Sequence, residues 1–347
     1  TTTTLTPSAF APGAGVTLTA GPLGAITGCA NNGAGLIRVT DAAHGYSSGI
    51  RLNITGVTGT TEANGVWTIT VIDDNTYDLQ GSAFVNAYVA GGATRPSVFV
   101  STDVGRYIRI QQGSVWGYVL ITAYTDVSTV TVTVINTLTS TAAKTVWRMG
   151  LYSDTTGYPA CGTFFGDRLW MGGCTYRPSR IDGSKTGDYL NFAPSGTTGT
   201  VADDSAVAFS LNSDDVQVIR WMKGFSSGIA VGTVEGEWLV SPSALGEAIT
   251  PTNVNAKQST NNGSTNTQPI KVGNALLHIA AGGRELYEMT YSFNENALDA
   301  YDMTILAEHV TKGATDATSG IKEMAYQKKR IKVVWGVRND GVLLGFS

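Results

Sequence analysis

The sequence predicts an all-β protein: small β-barrel or sandwich modules followed by β-propeller-like blades. Three observations lead there. Charged residues are only 14% of the 347, Gly numbers 42 and Thr dominates many segments, which suits strands with hydroxyl-rich surfaces joined by many turns. Short β-branched runs recur, and several alternate apolar with polar residues, so that one face is buried and the other wet. In the second half a strand–turn–strand plan repeats with Gly in each turn, as blades do.

In chain order, residues 1–22 mix Pro, Gly, Ala and Thr without periodicity and read as an extended N-terminal arm. Residues 23–95 read as a small β-barrel module. Its strand runs are Gly35–Thr40, Ile50–Val57, Gly65–Ile72 and Thr76–Leu79, cut by Gly, Asn and Asp turns. Residues 96–150 read as a second small β module with the runs "YIRIQ", "WGYVLITAY", "STVTVTVINTL" and "KTVWRMG". In Thr129–Val134 the strict Thr/Val alternation puts Val on one face and Thr on the other.

From residue 151 to 347 four segments share one plan: Cys161–Cys174, Gly228–Pro242, Ala275–Tyr291 and Ile331–Ser347. Their turns centre on Gly166, Gly236, Gly283 and Gly341, about 70, 47 and 58 residues apart. Each unit carries apolar faces that only neighbouring blades cover. The last hairpin, turning at Asn339-Asp340-Gly341, reads as an interrupted repeat, so an incomplete ring continuing past Ser347 is expected. Between blades, residues 297–310 are expected to be helical and Asn253–Gln268 to form a long exposed loop.

The net charge of −4 leaves no global footprint for gripping nucleic acid. No run approaches the roughly 18 apolar residues of a membrane span. The start lacks Met and the pattern of a secretory signal, as in a trimmed or partial polypeptide. Cys29, Cys161 and Cys174 are too few and scattered for a disulfide framework and are expected to be free, buried thiols. A Cys161–Cys174 bridge across neighbouring strands is the alternative.

No catalytic, cofactor or metal residues are assigned. His44, His278 and His309 lack metal-ligand spacing. His44 reads as part of a turn and His278 as a packed neutral imidazole in an apolar strand. The acid pairs Asp73-Asp74, Asp203-Asp204 and Asp214-Asp215 fall in turns, where carboxylates cap backbone N–H groups. A retaining glycosidase needs two carboxyls roughly 5 Å apart in a cleft, and no pair here is favoured over another. Gly91-Gly92 and Gly282-Gly283 read as turn glycines. Ser101, Asp103 and Gly105 superficially match an Asp-box but lack its Thr-Trp ending. The one basic run, Gln327–Lys332, reads as a solvated strand edge, with DNA phosphate contact through Lys328–Lys332 as the alternative.

Two blocks resemble known modules. Val39–Leu79, with its order T…HG and G-x-x-L-x-I-x-G-V-x-G-T-T-x-x-N-G-x-W, resembles a small β-barrel module shared with ubiquitin-activating enzymes and used in similar form by phage tail proteins. Val104–Phe192 resembles the podovirus-type tail nozzle, or tail tubular protein B, family. The residues that carry this are Gly157-Tyr158-Pro159, Phe164-Phe165, Asp167-Arg168-Leu169-Trp170, Gly172-Gly173, Pro178, Ser184, Gly187-Asp188-Tyr189 and Asn191-Phe192. "GTVEGEWLVSP" and "WGVRNDGVLLGFS" match later hairpins of that family, and Asp182-Gly183 stands where it usually shows a Trp-containing strand.

The resemblance implies a non-enzymatic virion protein with no cofactor, assembled in the bacterial host cytoplasm into a hexameric tail ring. A tail adaptor would sit above it, with tail fibres or spikes as further partners, and genomic DNA would pass through without sequence-specific binding. Tyr107, Trp116 and Trp147 are expected to fill barrel cores, with interface contact as the alternative. The competing expectation is a tail-associated propeller that binds carbohydrate or depolymerises polysaccharide.

Overall fold

The computed structural model describes residues 3–225, 228–244, 246–294 and 297–347. Two compact units divide the chain: Thr1–Thr155 with Thr197–Gly199, and Thr156–Gly196 with Thr200–Ser347. Both are built of antiparallel strands, so the all-β expectation holds.

The first unit contains β1 (Thr4–Pro7), β2 (Gly13–Gly21), β3 (Gly24–Asn31), β4 (Ile37–Asp41), β5 (Arg51–Thr55), β6 (Gly65–Asp73), β7 (Thr76–Leu79), β8 (Ala93–Pro96), β9 (Tyr107–Gln112), β10 (Val115–Asp126), β11 (Thr129–Val134) and β12 (Trp147–Met149). Strands β3-β4-β7-β6-β5-β8 close a barrel around Ile37, Val39, Leu52, Ile54, Ile69, Tyr77 and Leu79. The others form a six-stranded sheet in the order β1-β2-β11-β10-β9-β12. Its buried face carries Leu5, Val16, Leu18, Ala20, Val130, Val132 and Val134, and the Thr residues between them turn outward, as period two requires.

Residues 1–22 are therefore not a free arm. The run Val16-Thr17-Leu18-Thr19-Ala20 alternates like β11 and pairs with it, Thr19 opposite Thr129 and Val16 opposite Val132. Its apolar half completes the core of a sheet in which every strand but β1 and β2 lies more than 85 residues further on.

The second unit holds β13 (Cys161–Phe165), β14 (Arg168–Cys174), β15 (Arg177–Gly183), β16 (Val207–Ser210), β17 (Ile219–Phe225), β18 (Gly228–Thr233), β19 (Glu237–Ser241), β20 (Asn255–Thr260), β21 (Ile270–Val272), β22 (Ala275–Ile279), β23 (Leu286–Ser292), β24 (Ala297–Asp302), β25 (Ile321–Gln327), β26 (Val333–Arg338) and β27 (Leu343–Phe346). They make consecutive meanders: β13–β16, β17–β20, β21–β24 and the three-stranded β25–β27. The expected Gly turns join β13 to β14, β18 to β19, β22 to β23 and β26 to β27. At the first, Gly166 (φ 57°) and Asp167 (φ 55°) both take the left-handed conformation that a two-residue type I′ hairpin demands.

Each sheet packs on the next. Trp170 and Ile181 of the first sheet meet Ile219, Met222, Val231 and Trp238 of the second. Trp221, Phe225 and Leu239 of the second meet Leu276, Met289 and Leu298 of the third. Leu277, Ile279 and Leu286 of the third meet Ile321, Met324, Val334 and Leu344 of the fourth. Neighbours along β17, Trp221 and Met222, thus serve opposite interfaces. Strands β18, β19 and β22 are buried at every residue, as strands covered on both faces must be.

Two expectations for the linking segments fail. Residues 297–310 are not a helix: Ala297–Asp302 is β24, paired with β23 from Ser292–Ala297 to Tyr287–Asp302, and only one helical turn, α1 (Glu308–Thr311), follows. The helical spacing loses because β23 offers an open edge for backbone pairing, which tertiary context exploits over weak local propensity. The polar stretch 253–268 is not all loop either, since β20 pairs with β19 as the outer strand of its sheet.

Packing between strands is close at Gly232, where an added Cβ would run into the indole of Trp221, itself 0% exposed. Gly232→Ala is expected to destabilise the protein by roughly 1–3 kcal/mol through overpacking, read as a lowered urea midpoint at unchanged slope. An unchanged midpoint would show that Trp221 has room to move.

Candidate functional site

The histidines lie apart. His44 follows β4, is buried, and stacks on Tyr46 at 5.3 Å with Tyr77 edge-on. Its Nδ1 accepts the Tyr46 N–H at 2.9 Å, so Nε2 carries the proton and donates to Asp73 O at 3.0 Å. That is a neutral imidazole tying the barrel mouth together. His309 is exposed on α1. Among the described residues no group of three or more His, Cys, Asp or Glu side chains is placed to hold a metal ion.

His278 is in β22 as expected, but it is not surrounded by apolar groups alone. Its Nε2 lies 3.4 Å from Glu237 Oε1, and both side chains are 0% exposed. Ser264 Oγ donates to Glu237 Oε1 at 2.7 Å, and Thr260 Oγ1 donates to Oε2. Trp221 and Tyr287 flank the imidazole at 5.8 and 5.7 Å. A buried carboxylate is tolerable only when its oxygens are satisfied; both Glu237 oxygens accept hydroxyl hydrogen bonds, whereas the His278 ring nitrogens make no hydrogen bond to the described residues. Glu237 and His278 are 41 residues apart, so only the stacking of sheets reveals the pair.

The turn acids behave as caps and tethers. Asp73 accepts the Asn75 N–H at 2.8 Å, which together with Thr76 holds its carboxyl below the ordinary range. Asp204 pairs with Lys185 at 3.0 Å, and Asp203 gives its carbonyl to Arg168. Asp214 and Asp215 are exposed in the loop before β17. The basic run is not a strand edge: Lys328–Lys332 form the exposed connection of the β25–β26 hairpin, with Arg330 at φ 67°. Cys29 and Cys174 are buried free thiols, whereas Cys161 is half-buried and sits opposite Gly172. Tyr107 does not fill a core. Strand parity turns Ile108 and Ile110 inward and leaves Tyr107 51% exposed. Trp147 packs on the sheet core and donates to Thr3 O at 2.9 Å, while half-buried Trp116 lies under the Arg109 guanidinium at 4.2 Å.

Sequence reading also missed Glu62. Its Oε1 accepts the N–H groups of Val85 and Asn86 at 2.8 and 2.7 Å, anchoring that loop to the barrel. Those backbone donors, Asn86 first, pull its carboxyl down from 4.5 to about 2.

In the first unit a groove of ≈ 520 Å³ lies over the outer face of β1 and β2. Thr4 and Thr6 of β1, Ser8 just past it, and Thr17 and Thr19 of β2 line it, together with Arg95 of β8, Pro22 and Leu23. Cross-strand pairing sets Thr6 opposite Thr19 and Thr4 opposite Gly21.

Two outcomes test these local networks. His278→Ala should cost roughly 2–5 kcal/mol through the cavity it leaves at a fully buried site beside Glu237, and the added loss in the Glu237→Gln/His278→Ala double variant should be below additive. Additive losses would mean the two do not interact. Because the folded Glu62 carboxyl titrates below its unfolded value, its stabilisation is present above pH 4.5 and is lost as pH falls towards about 2. A carbon-detected NMR titration should place its midpoint near 2, and a midpoint near 4.5 would remove the anchor.

No protein-family model matches the chain, and no curated protein matches it. Among solved structures it is similar to a Lactobacillus plantarum protein, with TM-score 0.29 and 11% identity over 86% of this chain and 81% of that one. It is also similar to the endosialidase of phage phi92, with TM-score 0.24 and 14% identity over 84% of this chain and 41% of that one. The chain thus spans less than half of the endosialidase's length, and at these scores neither likeness carries an argument about function.

Proposed function

We propose that the chain is a structural subunit of a phage tail nozzle, a ring in the virion through which genomic DNA is ejected, and not an enzyme. The observation that carries this reading is what the nozzle-like motif does in the fold. Phe165 and Trp170 face the core of the first sheet, with Trp170 Nε1 donating to Phe165 O at 3.0 Å. Buried Arg168 donates to the carbonyls of Ser184 and Ser205 at 2.6 and 2.7 Å. Ser184 Oγ accepts the Leu169 N–H, and the Gly187 N–H reaches Asp167 O at 2.9 Å. Tyr189 Oη closes the set on Asp167 Oδ1 at 2.7 Å. The motif knits a hairpin to the long segment that follows it, which is architectural work.

The ends of the stack support self-assembly. Phe164, on the opposite face of β13 from Phe165, is 65% exposed, and the outer face of the fourth sheet shows Trp335 and Leu343 at 36% and 61%. Exposed apolar sheet faces of this kind serve contacts between subunits. In this reading the ring is a homo-hexamer beneath a tail adaptor, with fibres or spikes as further neighbours, and a mildly acidic chain lets the duplex slide instead of holding its phosphates.

Negative-stain images of the purified protein should show six-fold rings, and Leu343→Asp with Trp335→Asp should disperse them. Monomers at tens of micromolar with the wild-type sequence would overturn the ring. Binding of duplex DNA that is lost on neutralising Lys328, Lys329 and Lys332 would replace passive passage with gripping.

A further inference from the structure

The groove over β1 and β2 has the chemistry of a binding site that the nozzle reading does not use. Arg95 is half-buried, and one contact fixes it: Nη1 donates to Ala20 O at 3.1 Å. It has no carboxylate partner among the described residues, whereas the half-buried Arg38, Arg106, Arg180 and Arg338 are each paired with an Asp. Its remaining N–H donors stay open to a ligand, and no acidic residue lines the groove.

The hydroxyls of Thr4, Thr6, Thr17 and Thr19 make no hydrogen bond to the described residues, while Ser8 Oγ accepts the Thr17 N–H at 2.9 Å. Strand pairing holds these groups in a fixed array, each able to donate and accept. Gly21, opposite Thr4, keeps the Arg95 end open: a Cβ there would stand 2.7 Å from Thr4 Oγ1. Pro22 and Leu23, the latter 60% exposed, add an apolar wall.

We infer that this groove binds a carboxylated saccharide. The guanidinium would take the carboxylate through paired N–H···O bonds, the Thr hydroxyls would exchange hydrogen bonds with ring hydroxyls, and Pro22 and Leu23 would cover the C–H face of a sugar ring. From Thr4 to Ser8 the floor runs about 13 Å, room for a short oligosaccharide. A single cation without an aromatic platform does not suit a nucleic acid strand, which needs several phosphate contacts and stacking surfaces.

The test is calorimetric titration of the 347-residue protein with tri-galacturonate, with maltotriose as its uncharged counterpart and sodium sulfate as a bare anion. Tri-galacturonate should bind, maltotriose about tenfold or more weakly, and sulfate without measurable heat. Arg95→Ala should remove the preference for the acidic sugar. Because Arg95 also holds Ala20, the Thr6→Val/Thr19→Val variant supplies an independent reading: it should weaken tri-galacturonate several-fold while circular dichroism stays unchanged. Equal binding of sulfate, no binding of tri-galacturonate, or full affinity in the threonine variant would each overturn the inference.

Discussion

The second unit rests on one constraint: its central strands are apolar on both faces. A strand such as β18 or β22 cannot sit on a single-layer surface without exposing half of its side chains to water, so each sheet must be covered front and back. Stacking consecutive meanders meets that demand with short local connections. It also explains why β17 alternates between interfaces and why a glycine is needed at position 232, where β18 passes under the Trp221 indole. The terminal sheets have only one neighbour each within this unit, which is why Phe164, Trp335 and Leu343 are left exposed.

The same stacking decides where polar groups are tolerated. Glu237 and His278 stand at the meeting of the second and third sheets, inside a region otherwise filled by Trp221, Leu239 and Leu276. Thr260 and Ser264, from the strand β20 and the turn after it, supply the carboxylate's hydrogen bonds. The polar segment following β19 is therefore not a loose loop. It brings hydroxyls to a charge that the sheets would otherwise strand.

What could be read from the sequence follows from how local each signal is. The alternation of Thr129–Val134 and the glycine turns at 166, 236, 283 and 341 depend on neighbours within a few residues, and they gave the strands and hairpins of the sheets directly. The N-terminal strand β2 carries the same alternation, but the surrounding Gly and Pro diluted it, and its partner β11 is over 100 residues away. Residues 297–310 failed for a related reason, because an open strand edge outbid a weak helical spacing. Tyr107 was misplaced although parity alone, with Ile108 and Ile110 as its neighbours, turns it outward. The Glu237–His278 pair, the Glu62 anchor and the groove have no local signature, since each is assembled from strands or loops joined only by the fold.

Scarcity of charge gives the remaining argument its force. In a chain with 23 Lys and Arg residues, an arginine held half out of water without a partner forfeits solvation unless hydrogen bonds replace it. Arg168 solves this with backbone carbonyls, Arg109 with the rings of Trp116 and Tyr118, and Arg38 with Asp78. Arg95 has one carbonyl and an open groove. Its place between a barrel strand and the threonine face of a sheet is fixed by closure of the barrel at β8 and by the pairing of β1 with β2. The fold therefore pre-positions a cation against a rigid row of hydroxyls, an arrangement that favours a polar, acidic ligand over solvent because little order remains to be imposed on binding.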